Sequence, residues 1–226
     1  MTDTNKFVHS FYTKTEFPDV VIDGKRFYDS PGGKFKSVTT IIGEKSNKDW
    51  LKDWRDRIGD DEADQILFQA QVRGTAVHDL AEKYVMNDPH WSRGAMPINI
   101  KTFKKIARQL DKNLGKVYGI EYPLWSTMLQ TAGRTDLPAQ WLIDGTYEDT
   151  IVDFKSSRGT KEREDIPNYF IQASTYAVMF EEITGRRMTH VAIIVAQDTE
   201  DEATVFVDRA RNWYPEVARV FMGVVQ

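Results

Sequence analysis

Cysteine does not occur anywhere in this 226-residue chain. Disulfides, thiolate zinc sites and iron–sulfur clusters are therefore excluded, which suits a reducing compartment. Long apolar runs are missing too: no window approaches the roughly eighteen uninterrupted apolar residues of a membrane span. The opening residues, MTDTNKF, lack the apolar stretch of a secretory leader. These absences lead us to expect a soluble, cytoplasmic protein with no membrane partner. Basic excess is also lacking, since 30 Lys and Arg against 34 Asp and Glu give a formal charge of −4. That argues against a generally basic nucleic-acid coat but leaves room for a local positive groove beside an acidic site. Nor is there a repeat, a low-complexity tract or a linker, so residues 1–226 read as one domain.

What is present suffices for a substantial core, with 41% hydrophobic and 12% aromatic residues. From Phe7 to Ile42 the pattern is short and β-like. Turns are expected at Asp23-Gly24 and Pro31-Gly32-Gly33, and a strand in FKSVTTII. Helical periodicity then predicts helices over about 48–58, over 62–86 with a break near Gly74, and over 100–118. On the last, Phe103, Ile106, Ala107, Leu110, Leu114 and Val117 form the apolar stripe. EYPLWST, MLQTAGRTD, QWLID and TIVDFKS read as a meander of strands, with DGTYED a polar loop bent at Gly145. A helix over about 165–184, strands HVAIIVAQ and EATVFVD, and a helix near 210–220 complete an α/β chain. Its first portion, 1–118, reads as mainly helical, and 119–226 as a sheet with flanking helices.

The segment TIVDFKSS, residues 150–157, places an acid and a base in an otherwise apolar strand. Alternation puts Asp153 and Lys155 on one face and Val152 and Phe154 on the other. Burying either charge costs several kcal/mol unless it is paired or used. Asp136, ending TAGRTD, could join Asp153 at one edge of the sheet. Two close carboxylates share a proton or hold a divalent cation, and an adjacent lysine can stabilise charge developing on a phosphate. A plain ion pair at a sheet edge accounts for the triplet equally simply. His78, at the border of the helix GTAVHDLAEKYV, is a metal ligand or a core-edge histidine. Glu121 is a further carboxylate or an exposed charge at a strand start. Gln172 and Tyr176 lie one turn apart on a helix, where Tyr176 alone would read as core.

The order of these segments is specific: GTxxH on a helix, E-x-P-L, GRxD, DFK, then QxxxY on the next helix. This series resembles the RecB-type branch of the PD-(D/E)XK nuclease superfamily. Upstream, SVTTIIGEKSNKDWLKDWRD resembles the mitochondrial-genome-maintenance and related phage exonucleases. The likeness runs from about Ser37 to Tyr176. It implies a restriction-endonuclease-like core, a mixed central sheet flanked by helices, and a metal-dependent DNA exonuclease of recombination, repair or replication in a bacterial or phage-infected cell. Asp136 and Asp153 would hold Mg²⁺, or Mn²⁺ as substitute, with the Phe154 carbonyl, His78 and Glu121 as further ligands. Lys155 would help activate the attacking water. Gln172 and Tyr176 would support the site and touch nucleic acid. Relatives with a four-cysteine cluster are poor matches for a cysteine-free chain.

DNA, single-stranded or with free ends, is the expected partner, with a recombination or single-strand-binding protein as a second. Arg73 and Arg134, each within a few residues of an expected ligand, are candidates for phosphate contact. Ser37, Thr39 and Thr40 with Lys36 could donate to a phosphate or simply cap a helix. Lys101, Lys105, Arg108, Lys112 and Lys116 read as the solvated face of their helix. A structure-specific endonuclease and a non-catalytic DNA-end-binding module are the competing readings.

Overall fold

The chain's structure, a computed structural model, describes residues 6–46 and 49–223. Among the described residues, eleven strands and six α-helices are arranged in two mixed sheets flanked by helices, an α/β architecture. In the first sheet the order is β1 (Val8–His9), β5 (Leu114–Val117), β8 (Leu137–Ile143), β9 (Thr146–Ser157), β10 (His190–Gln197) and β11 (Thr204–Arg209). In the second it is β2 (Asp19–Ile22), β3 (Lys25–Ser30), β4 (Gly33–Ser37), β7 (Thr131–Thr135) and β6 (Tyr122–Ser126). β1 pairs parallel with β5 and β4 parallel with β7, so early segments are built into both sheets.

The first sheet is covered on both faces, and its central strands show why. On β10, Val191, Ile193 and Val195 pack into one core cluster, while Ala192, Ile194 and Ala196 pack into another. On β9, Ile151 faces the first cluster and Val152 and Phe154 the second. This period of two is the signature of a doubly buried strand, and β9 and β10 pair in parallel as such strands do. The first cluster is roofed by α1 (Val38–Lys45), α5 (Pro167–Thr184) and α6 (Tyr214–Met222). The second is roofed by α3 (Asp60–Val85) and α4 (Pro97–Asn113). Among the described residues, no helix is long and apolar enough to cross a membrane.

Several elements differ from the sequence expectation. FKSVTTII is not one strand: β4 stops at Ser37, whose hydroxyl accepts the Thr40 N–H at 3.0 Å and caps α1. The helix expected over 48–58 is α2 (Asp49–Ile58), and Lys48 lies outside the described residues. No break occurs at Gly74, because α3 runs through it for 26 residues. The helix expected to reach Tyr118 ends at Asn113, and Leu114 and Val117 belong to β5. Gly115 permits this, since a Cβ there would sit 2.8 Å from the Tyr147 ring and 2.9 Å from Gln140. DGTYED is not a loop but a two-residue hairpin. Asp144 and Gly145 both take positive φ, 48° and 82°, and β9 begins at Thr146. The four-strand meander also divides: β6–β7 and β8–β9 are hairpins in different sheets, and the chain changes sheet at Asp136.

Lys101, Arg108, Lys112 and Lys116 are exposed, as expected of a solvated face, but Lys105 is an anchor instead. Lys105 is only 7% exposed, and its ammonium donates to the carbonyls of Gln197, at 2.6 Å, and Glu200. Arg108 reaches the Asp201 carbonyl at 2.9 Å and Gln109 the Ala203 carbonyl at 3.2 Å. One row of side chains thus donates to carbonyls of the β10–β11 turn. Replacing Lys105 with methionine keeps the stem but strands those acceptors. Loss of charge-assisted hydrogen bonds of this kind costs about 1.5–3 kcal/mol, so Lys105→Met should lower the urea midpoint with an unchanged m-value. A variant as stable as the parent would show that the tether contributes nothing.

Candidate functional site

Five elements deliver side chains to one groove. His78 comes from the C-terminal half of α3, Glu121 from the residue before β6, and Asp136 from the crossing between β7 and β8. β9 supplies Asp153, Phe154 and Lys155, and α5 supplies Gln172 and Tyr176. A cavity of about 430 Å³ is lined by His78, Glu121, Asp136, Lys155, Gln172 and Tyr176, together with Ser37, Thr39 and Arg134. It adjoins a second hollow that shares His78, Glu121 and Arg134 and extends over Gly74 and Thr75.

Backbone hydrogen bonds position the acids. Asp136 Oδ2 accepts the Phe154 N–H at 2.7 Å, and the Asp136 carbonyl accepts the Glu121 N–H at 2.9 Å. Glu121 is held at φ 45°, a left-handed conformation that costs a non-glycine residue about 1–2 kcal/mol. Arg134 steadies it by donating to the Glu121 carbonyl at 3.1 Å. The His78 ring bridges what these bonds bring together. Its Nε2 is 3.0 Å from the Phe154 carbonyl, and its Nδ1 is 3.4 Å from Asp136 Oδ1 and 3.6 Å from Glu121 Oε1.

One donor atom from each of His78, Glu121 and Asp136 falls within 4.8 Å of the others. With the adjacent Phe154 carbonyl, these form a mixed nitrogen and oxygen set able to hold a divalent cation. The charge of Asp136 holds the His78 imidazole up at about 11. Burial alone would raise the Asp136 carboxyl, but His78, Lys155 and the Phe154 N–H hold it below its ordinary value. Burial raises Glu121.

Asp153 stands beside this group and is engaged by other partners. It is 1% exposed, with Oδ2 2.6 Å from the Lys155 ammonium and Oδ1 accepting from Gln172 at 3.1 Å. Burial raises its carboxyl to about 6, against the opposing pull of Lys155. Lys155 also lies 5.1 Å over the Tyr169 ring. No sequence motif singled out Tyr169, yet it precedes Gln172 by three residues on the same helix face. That spacing is the signal that could have identified it. Arg26 and Tyr28 of β3 also line the cavity, and no sequence pattern singled them out.

The remaining candidates separate. Arg134 is at the groove, paired with Glu16 at 2.8 Å. Arg73 does not join it: its guanidinium turns to Asp198 at 2.7 Å and the Ser157 carbonyl at 3.1 Å, tying α3 to the end of β9. Lys36 pairs with Glu44 at 2.9 Å. Ser37 and Thr39 line the cavity, and the Ser37 hydroxyl also caps α1. Thr40 takes part in that cap, accepting from the Ser37 hydroxyl at 2.7 Å.

No family model matches the chain, and no curated protein matches it. Among solved structures, one titled "Crystal structure of SSO0001" is 10% identical, covering 67% of this chain and 75% of that chain at a TM-score of 0.29. So distant a likeness leaves the groove's own geometry as the basis for a functional reading.

Gly133 explains how Tyr176 enters the site. A Cβ at this position of β7 would meet the Tyr176 ring and hydroxyl at 2.9 Å, so the buried tyrosine lies directly on the glycine backbone. Gly133→Ala should therefore destabilise by about 1–3 kcal/mol, the usual cost of overpacking. In a Tyr176→Leu background, where the ring is gone, most of that cost should vanish in a double-mutant cycle. An equal cost in both backgrounds, measured by urea unfolding, would remove the ring contact as the cause.

Proposed function

We propose that this chain is a divalent-metal-dependent DNA exonuclease built on a restriction-endonuclease-like core of the RecB-type PD-(D/E)XK branch. One observation carries the reading. Side chains from five separate sequence segments, in the order of that branch's motifs, converge on one groove: His78, Glu121, Asp136, the Asp153–Lys155 pair, and Gln172 with Tyr176. A structural ion pair needs only Asp153 and Lys155. It does not call for an imidazole and two more carboxylates beside them.

Mg²⁺, with Mn²⁺ as substitute, fits the donors offered by His78, Glu121, Asp136 and the Phe154 carbonyl. When bound, it would supply charge neutralisation at the scissile phosphate and a more acidic water. The protein's own groups do the rest. Asp153, fixed by Gln172, orients the Lys155 ammonium, which stabilises the negative charge that grows on the phosphate as water attacks. Tyr169 closes the far side of that ammonium. Arg134, Ser37 and Thr39 offer donors to neighbouring phosphates along the groove. Single-stranded ends in recombination, repair or replication are the substrate class that suits a narrow polar groove, and such a strand could be handed over by a single-strand-binding or recombination protein.

Asp136→Asn removes a ligand's charge without opening a cavity, and Mg²⁺-dependent cleavage of end-labelled single-stranded DNA should be abolished while thermal unfolding stays cooperative. Near-parental turnover at saturating Mg²⁺ would make the assignment of Asp136 wrong. Lys155→Ala should leave DNA affinity within about threefold and lower kcat by roughly a hundredfold or more, because its role lies in the transition state. A large rise in KM with kcat unchanged would move Lys155 to binding alone.

Linear strands, blunt duplex and single-stranded circles, incubated side by side with Mg²⁺ or EDTA, test the reading as a whole. Progressive shortening of linear strands with intact circles is expected. Early opening of circles would favour the endonuclease, and binding without cleavage the non-catalytic module.

A further inference from the structure

Away from the groove, a cavity of about 320 Å³ opens between the end of α5 and the strand pair β10–β11. Three arginines line it: Arg187 just after α5, Arg209 at the end of β11, and Arg211 in the following 3-10 turn. The strand register separates it from the candidate site. His190, also lining the cavity, pairs with Thr150 of β9, three residues before Asp153, or about 10 Å along the strand.

The charges are unusual for a chain with more acids than bases. Nearby arginines are paired: Arg163 with Asp208, Arg186 with Asp149, and Arg219 with Glu216. Among the described residues, no carboxylate stands within ion-pair distance of Arg187, Arg209 or Arg211. Tyr214 lines the cavity alongside Arg187. The carboxylate that does line the cavity, Glu148, accepts from Thr189 at 3.3 Å and lies 3.9 Å from His190 Nδ1. Three guanidinium groups thus line one cavity without a carboxylate in ion-pair contact among the described residues. Their planar forks match the oxygens of a multiply charged oxyanion.

We infer that this cavity is a phosphate-binding site, recognising a phosphate group carried by a small nucleotide-like anion or by a nucleic-acid backbone. Arg187, Arg209 and Arg211 are the binding groups, with Thr189 and Tyr214 at its wall.

The test is calorimetric titration of the full chain in EDTA, so that no cleavage occurs and the outcome is independent of the nuclease reading. The probes are inorganic pyrophosphate and a dT oligonucleotide. The variant Arg187→Ala/Arg209→Ala/Arg211→Ala changes only exposed side chains. Arg209→Ala alone serves as a second variant, and Arg219→Ala as the surface-charge control. The triple variant should lose about tenfold or more in affinity, as expected for losing charge-assisted hydrogen bonds, while the control is unchanged. Loss for pyrophosphate alone identifies a small-anion site, and loss for the oligonucleotide as well identifies a backbone contact. If neither probe binds the triple variant less tightly than the parent, the proposal is overturned.

Discussion

The Asp136 carboxylate accepting the Phe154 N–H is the contact on which the candidate site depends. Asp136 is the one residue between β7 of the second sheet and β8 of the first. One of its oxygens is spent on the backbone of β9, which orients the second toward His78. Its carbonyl meanwhile fixes the backbone of Glu121 in a left-handed turn. A buried carboxylate at 7% exposure would be costly alone. Here a backbone donor, an imidazole and a nearby ammonium share its charge.

The alternation of β9 carries the same logic into the other half of the groove. Because successive residues face opposite layers, Asp153 and Lys155 point toward α5, where Gln172 and Tyr169 meet them. The intervening Phe154 turns its ring into the α3–α4 core and leaves its carbonyl beside His78. One three-residue stretch therefore serves both faces of the site. A shift of register by a single residue would exchange all of these partners at once.

Cations elsewhere divide by what they satisfy. Lys105 and Arg108 hold carbonyls of the β10–β11 turn, and Arg73 holds the end of β9. Arg187, Arg209 and Arg211 have no carboxylate within ion-pair distance among the described residues, and that difference sets their cavity apart. Position along a helix does not distinguish these cases, since Lys101 and Lys105 are one turn apart and only Lys105 is buried.

What the sequence determined by itself is local: the apolar stripes of α3 and α4, the alternation of β9 and β10, and the acid and base left inside a buried strand. The grouping of Asp136, Asp153, Lys155, His78 and Glu121 was legible only as an ordered series of motifs. Where β4 becomes α1, where α4 becomes β5, and that the supposed meander divides between two sheets were not legible. Each is settled by partners far away in the chain, Thr131 for Lys36 and Trp141 for Leu114. The same holds for the burial of Lys105 and the departure of Arg73 from the groove, whose acceptors lie 92 and 84 residues onward. Periodicity reports which face of a segment is apolar. It is blind to which distant carbonyl will need a donor, and that need arises only when the layers pack and exclude water.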